Sequence, residues 1–158
     1  MKKTLMVIVA TGLLATGLIT GAPTGLYATE AVVNNVAEIL KSTDWNKMET
    51  VTVIANEYSY EPNTLRFKAG QPYKLVMKNE GEKDHYFTAP EFFRAVATRK
   101  VQSKDGEVKA PYFLAFEMRP NGGQLDFYFV PVIQGSYPVY CTIGDHRQQG
   151  SEGTIVIE

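Results

Sequence analysis

Cysteine, histidine and tryptophan are nearly missing from this 158-residue chain, which has one, two and one of them respectively. A single thiol excludes an internal disulfide, so no covalent staple supports the fold. Excess positive charge is also missing: 16 Lys and Arg face 17 Asp and Glu, which argues against a nucleic-acid partner. After residue 28 no apolar run is long enough to cross a bilayer. No internal repeat or low-complexity tract is present. No serine–histidine–acid set, phosphate-binding loop or paired-carboxylate arrangement stands out, so a binding or carrier protein is expected rather than an enzyme.

What is present begins with a distinct N-terminus. Lys2 and Lys3 precede an apolar run from Leu5 to Ile19, and small residues follow. This is the layout of a secretory signal peptide, with cleavage expected after Ala28 or Ala31. The alternative is an uncleaved membrane anchor, since about 17 apolar residues just span a bilayer. The expected division is a signal peptide over 1–28, a helix and linker over 29–49, and one domain over 50–158. The expected location is the periplasm or another exported compartment. Without Lys2 and Lys3, fourteen basic side chains oppose seventeen acidic ones, a net charge near −3. A lone cysteine in an exported protein calls for burial, an intermolecular bridge or a metal.

"EAVVNNVAEILKS", residues 30–42, spaces Val32, Val33, Val36, Ile39 and Leu40 for a short amphipathic helix capping one end of the core. Strand patterns dominate from Val51 onward. "LRFKAG" alternates Leu65 and Phe67 with Arg66 and Lys68, and "YKLVMKN" sets Tyr73, Leu75 and Met77 on one face. "HYFTA", "YFLAFEM", "LDFYFVPV", "YPVYC" and "GTIVIE" read as further strands, separated by turn residues at "EPN", "AGQP", "NEGEKD", "RPNGG" and "IQGS". Seven to eight strands in this length predict an all-β, antiparallel Greek-key β-sandwich. Residues 89–111 break the rhythm. Within them "PEFFRAVATRK" is expected to be partly helical and "SKDGE" a solvated loop. Arg94, Arg99, Lys100 and Lys104 are read as a soluble connection rather than a docking surface for an acidic partner.

His85, Cys141 and His146 all fall at junctions between strand and loop. A sandwich can bring them together, and two imidazoles with a thiolate make a trigonal set that suits copper. Donors on strand ends and a tight loop are held rigidly, which lowers reorganisation when a metal changes oxidation state. The bland reading is a small buried thiol with two unrelated histidines. Met48, Met77 and Met118 are dispersed on strand patterns and read as core filling.

"VIANEYSYEPNTLRFKAGQPYKLVMKNEGEKDHYFTAP" together with "GSYPVYCTIGDHRQQGSEGTIVIE" resembles the cupredoxins, the small blue-copper proteins, over roughly residues 50–158. The aromatic stretch before Pro62, the Ala69-Gly70 turn, Asn79 ahead of a loop leading to a histidine, and a Cys–His loop before the last strand occur in the family's order. One family pattern is Cys-x4-His-x4-Met with flanking glycines. Cys141, His146, Gly150 and Gly153 fit it, and Ser151 stands at the methionine position. The resemblance implies one mononuclear copper ion held by His85, Cys141 and His146. "TIGDH" departs from the family's T-x-P-G-H, with Gly144 in the proline place and Asp145 in the glycine place.

The fourth position is open to several occupants. Ser151 is too short to reach a metal that methionine reaches, unless a water bridges the gap. Gln148 and Gln149, the Asp84 carbonyl, Glu91 and Glu152 are the remaining candidates. The expected function is single-electron transfer between transiently bound redox proteins, with His146 at the rim inside an apolar docking patch. The alternatives are copper storage or delivery, an open copper site that binds a small molecule, and a sandwich that has lost its metal. A membrane partner is expected only if the N-terminal segment stays uncleaved.

Overall fold

The computed structural model describes residues 32–158. The expected signal peptide over 1–28 and the start of the expected helix lie outside the described residues. Among the described residues no helix is long and apolar enough to cross a membrane.

Two sheets face each other. One runs β2 (Ser59–Glu61), β1 (Glu49–Asn56), β4 (Tyr73–Asn79), β9 (Gly123–Pro131), β6 (Val96–Gln102) and β7 (Glu107–Val108). The other runs β3 (Thr64–Phe67), β11 (Glu152–Ile157), β10 (Gly135–Tyr140), β5 (His85–Thr88) and β8 (Ala115–Met118). Three short α-helices accompany them, α1 (Val36–Ser42), α2 (Pro90–Arg94) and α3 (His146–Gln149), with a 3-10 turn at Trp45–Lys47.

The period-two pattern sets which face each strand buries. In β4, Tyr73, Leu75, Met77 and Asn79 point into the core while Lys74 and Lys78 stay half-buried on the other side. In β3, Leu65 and Phe67 are buried and Arg66 is exposed. The resulting core is rich in phenylalanine. Phe127 stacks on Phe129 at 4.8 Å, and Phe67 and Phe92 meet Phe129 edge-on. Truncating one such ring to alanine costs about 3–5 kcal/mol.

The sandwich is the expected one, with three differences. Both sheets are mixed, because β1 pairs with β4 and β3 with β11 in parallel. Alternation along a strand reports which side faces in and carries no information on a neighbour's direction, so parallel pairs are invisible to it. Eleven strands form among the described residues, since two- and three-residue pieces such as β7 and β2 pair without a pattern long enough to read. "PEFFRAVATRK" makes one helical turn, α2, and then strand β6, which pairs with β9 through Thr98 and resumes after a bulge at Lys100. Its β-branched valines and the neighbouring edge of β9 override helical spacing.

Helix α1 covers the outer face of β6 and β9 rather than one end of the core. Val33, Val36, Ile39, Leu40 and Trp45 pack on Ala97 and Val130. The four basic residues considered as a docking surface are engaged separately. Arg99 lies over the Trp45 ring, Lys100 pairs with Glu107, Arg94 lies over Tyr112, and Lys104 sits beside Asp105.

Candidate metal centre

His85 opens β5, and the loop before it is fastened by one side chain. Buried Asn79, at the end of β4, donates through Nδ2 to the carbonyls of Lys83 (2.7 Å) and Met118 (2.8 Å). Its Oδ1 accepts from Gly81 N at 3.0 Å. The Glu57 carboxylate adds a second tie by accepting from the amides of Glu82 and Lys83. The carboxylate's pKa is held below its ordinary value chiefly by the Glu82 bond. Strand β10 runs antiparallel to β5, pairing Tyr140 with Thr88, so the thiol that follows β10 arrives near the start of β5.

The loop after Cys141 closes on itself. Cys141 N donates to Ser151 O (2.9 Å) and Ser151 N donates to His146 O (3.0 Å), pinching the neck of the loop. Gly144 takes φ +47, a left-handed angle closed to proline, which explains why this loop departs from the family's proline-containing form. Asp145 has φ −103 and needs no glycine. At the far side Gly150 adopts φ +124 beneath the carbonyl of Tyr58, where an added Cβ would lie 2.8 Å from that oxygen.

The three donors meet. Nitrogens of His85 and His146 and the Cys141 sulfur all lie within 4.8 Å of one another, and Cys141 Sγ is 3.6 Å from His146 Nδ1. All three are buried, at 0%, 7% and 2% exposure for His85, His146 and Cys141. Neither ring nitrogen of His85 has a hydrogen-bond partner. A fully buried imidazole with both nitrogens unsatisfied is costly unless one of them binds a metal. Burial first, and then the nearby His146, hold the His85 pKa below its ordinary value, which favours the neutral ring that ligation requires. A soft thiolate with two imidazoles fits copper.

Sequence reasoning missed two tyrosines. Tyr60 donates its hydroxyl to the carbonyl of Tyr86, and Tyr86 N donates to the Cys141 sulfur at 3.3 Å. Burial, then the charge of Cys141, push the Tyr60 pKa upward, so the phenol stays protonated as a donor. Tyr58 stands edge-on to His146 with ring centroids 5.4 Å apart, and Lys83 Nζ donates to its hydroxyl at 2.6 Å. The available signal was "EYSYEP", whose two tyrosines fall in the turn before β2 and within β2.

The other residues considered for the fourth position are placed as follows. Gln148 and Gln149 are exposed on α3, and Glu91 is exposed on α2. Exposed Glu152 pairs with Arg147 Nε at 3.0 Å. No carboxylate of Asp84, Glu91 or Glu152 belongs to the donor cluster, and Asp84 Oδ2 faces Arg119 at 3.4 Å. Ser151 is fully buried beside the cluster's loop neck. No apolar patch surrounds His146: the large exposed hydrophobics among the described residues are Val32, Val108, Tyr112 and Leu114. Tyr58 meets the histidine edge-on instead, with Lys83 on the Tyr58 hydroxyl, Glu57 paired to Lys83, and Arg147 next in the chain.

No known family's sequence profile matches the chain. No curated protein matches it in sequence either. Solved structures do match in fold. A multi-copper oxidase from Pediococcus acidilactici aligns with TM-score 0.53 at 15% identity, over 74% of this chain and 27% of its own. A Cu-containing nitrite reductase from Thermus scotoductus aligns with TM-score 0.53 at 10% identity, over 69% and 30%. Auracyanin from the photosynthetic bacterium Roseiflexus castenholzii aligns at TM-score 0.48 and 16% identity, over 69% and 96%. The chain thus spans less than a third of the two larger proteins. With its two-sheet sandwich and its buried histidine, thiol and histidine in that sequence order, the chain is cupredoxin-like.

Proposed function

We propose that this chain is an exported mononuclear copper protein that carries single electrons between transiently bound redox proteins. The observation that carries the reading is the buried convergence of His85, Cys141 and His146 on two strand ends and a pinned loop. Copper bound there would alternate between Cu(I) and Cu(II). The protein's part is to keep the donors still. Asn79 fixes the approach to His85, the loop neck fixes Cys141 and His146, and the Tyr86 amide supports charge on the sulfur. Such rigidity keeps reorganisation small.

His146 is the least buried of the three, under half-buried Tyr58, so electrons would pass at this edge of the molecule. The mixed charges of Glu57, Lys83 and Arg147 suit brief docking better than tight binding. The net charge near −3 and the signal-like N-terminus support an exported, nucleic-acid-free role. Membrane association follows only if residues 1–28 stay attached.

Voltammetry of the copper-loaded protein tests the reading. A reversible one-electron wave, repeated without loss of metal to a Cu(I) chelator, is the expected result. Metal that departs on each reduction would instead favour copper delivery.

A further inference from the structure

Ser151 is fully buried, and its Oγ has no hydrogen-bond partner. An unsatisfied buried hydroxyl costs about 1–3 kcal/mol, so native proteins complete such groups with a solvent molecule or a ligand. Its position restricts what that ligand is. The backbone of Ser151 bonds both to Cys141 and to His146, and the β10–β11 register, carried one step past Tyr140 and Glu152, sets Ser151 opposite Cys141 with the two side chains on one face. A serine side chain stops at the γ atom, where the family's methionine continues through sulfur to a methyl. It therefore cannot serve as the long soft contact.

Resting on the copper reading above, we infer that Ser151 donates a hydrogen bond to a small exchangeable ligand on the metal. That ligand is water at rest and is replaceable by a small anion with one lone pair for copper and another for the hydroxyl proton. The exchange releases water and changes no oxidation state. Only a few-atom ligand would fit among these groups, since His85, Cys141, His146 and Ser151 are all between 0% and 7% exposed. Asp84, the carboxylate next to His85 in the chain, pairs through Oδ2 with Arg119 at 3.4 Å. Serine at this position thus acts as a selector for small polar ligands.

The test uses the Cu(II)-loaded protein, its thiolate-to-copper absorption and its electron paramagnetic resonance, with sodium azide as the probe. Wild type should show a saturable spectral shift. Ser151→Ala should bind azide about tenfold more weakly, the worth of one net hydrogen bond. Ser151→Thr, which keeps the hydroxyl, should retain the shift, and Ser151→Met should abolish it. The backbone bonds of residue 151 survive every one of these changes, and circular dichroism verifies the fold. A loaded wild type that has its thiolate band but ignores azide overturns the inference alone, as does equal azide affinity in Ser151→Ala. A loaded protein with no thiolate band overturns the copper reading, and the inference falls with it.

Discussion

Removing the side chain of Asn79 tests how the histidine-bearing loop is held. Asn79→Ala deletes three hydrogen bonds at once: to the Lys83 and Met118 carbonyls and from Gly81 N. The Lys83 carbonyl lies where water can replace the lost donor, but the Met118 carbonyl and the Gly81 amide are buried. Two buried groups left unpaired, at about 1–2 kcal/mol each, give a loss of about 2–4 kcal/mol. For a domain of this size that lowers Tm by about 8–16 °C. The loss of copper affinity should be about tenfold or more, because the loop leading to His85 is no longer pinned. Asn79→Asp keeps the acceptor for Gly81 but loses both donors and buries a charge, so it should be at least as damaging. Calorimetry of the metal-free variants and a competitive copper titration measure both effects. A Tm drop below about 2 °C in Asn79→Ala would refute the reasoning.

Two further outcomes follow from the site. Tyr58→Ala should expose His146, so that carbethoxylation of this imidazole in the metal-free protein runs severalfold faster. An unchanged rate would mean that Tyr58 does not cover the ring. The His85 pKa is lowered in the fold from an ordinary 6.5 by burial and by His146. As pH falls below about 6.5 the unfolded chain takes up this proton before the folded one, so metal-free stability is full above that value and declines below it. Urea midpoints at about pH 7.5 and about pH 5.5 should show the decline, and His85→Leu should flatten it. An equal slope in the variant would assign the pH dependence to other groups.

The convergence of the candidate site was legible because its residue types carry chemistry that can be read without coordinates. A lone thiol and the only two histidines, each beside a strand end, restrict the possible donor sets severely. The inward residues of β3 and β4 could also be read, since alternation reports burial directly. The parallel partners of β1 and β3 could not, because pairing direction depends on contacts far apart in sequence. Strand β6 was obscured for a related reason: Val96, Ala97 and Val101 satisfy either spacing until β9 lies beside them. The cover of His146 by Tyr58 joins residues from opposite ends of the domain, so His146 read as a rim residue although it is 7% exposed. The placement of Gly144 at φ +47 became meaningful only with the backbone in view, when it explained the absent proline.

A Cu(II) titration of the reduced, metal-free protein, followed in the visible region, bears most directly on the three-donor centre. The account predicts an intense thiolate-to-copper band that saturates at one ion per chain and vanishes in Cys141→Ser. A folded, reduced protein that takes up copper without this band, or keeps the same spectrum when Cys141 is replaced, would contradict it.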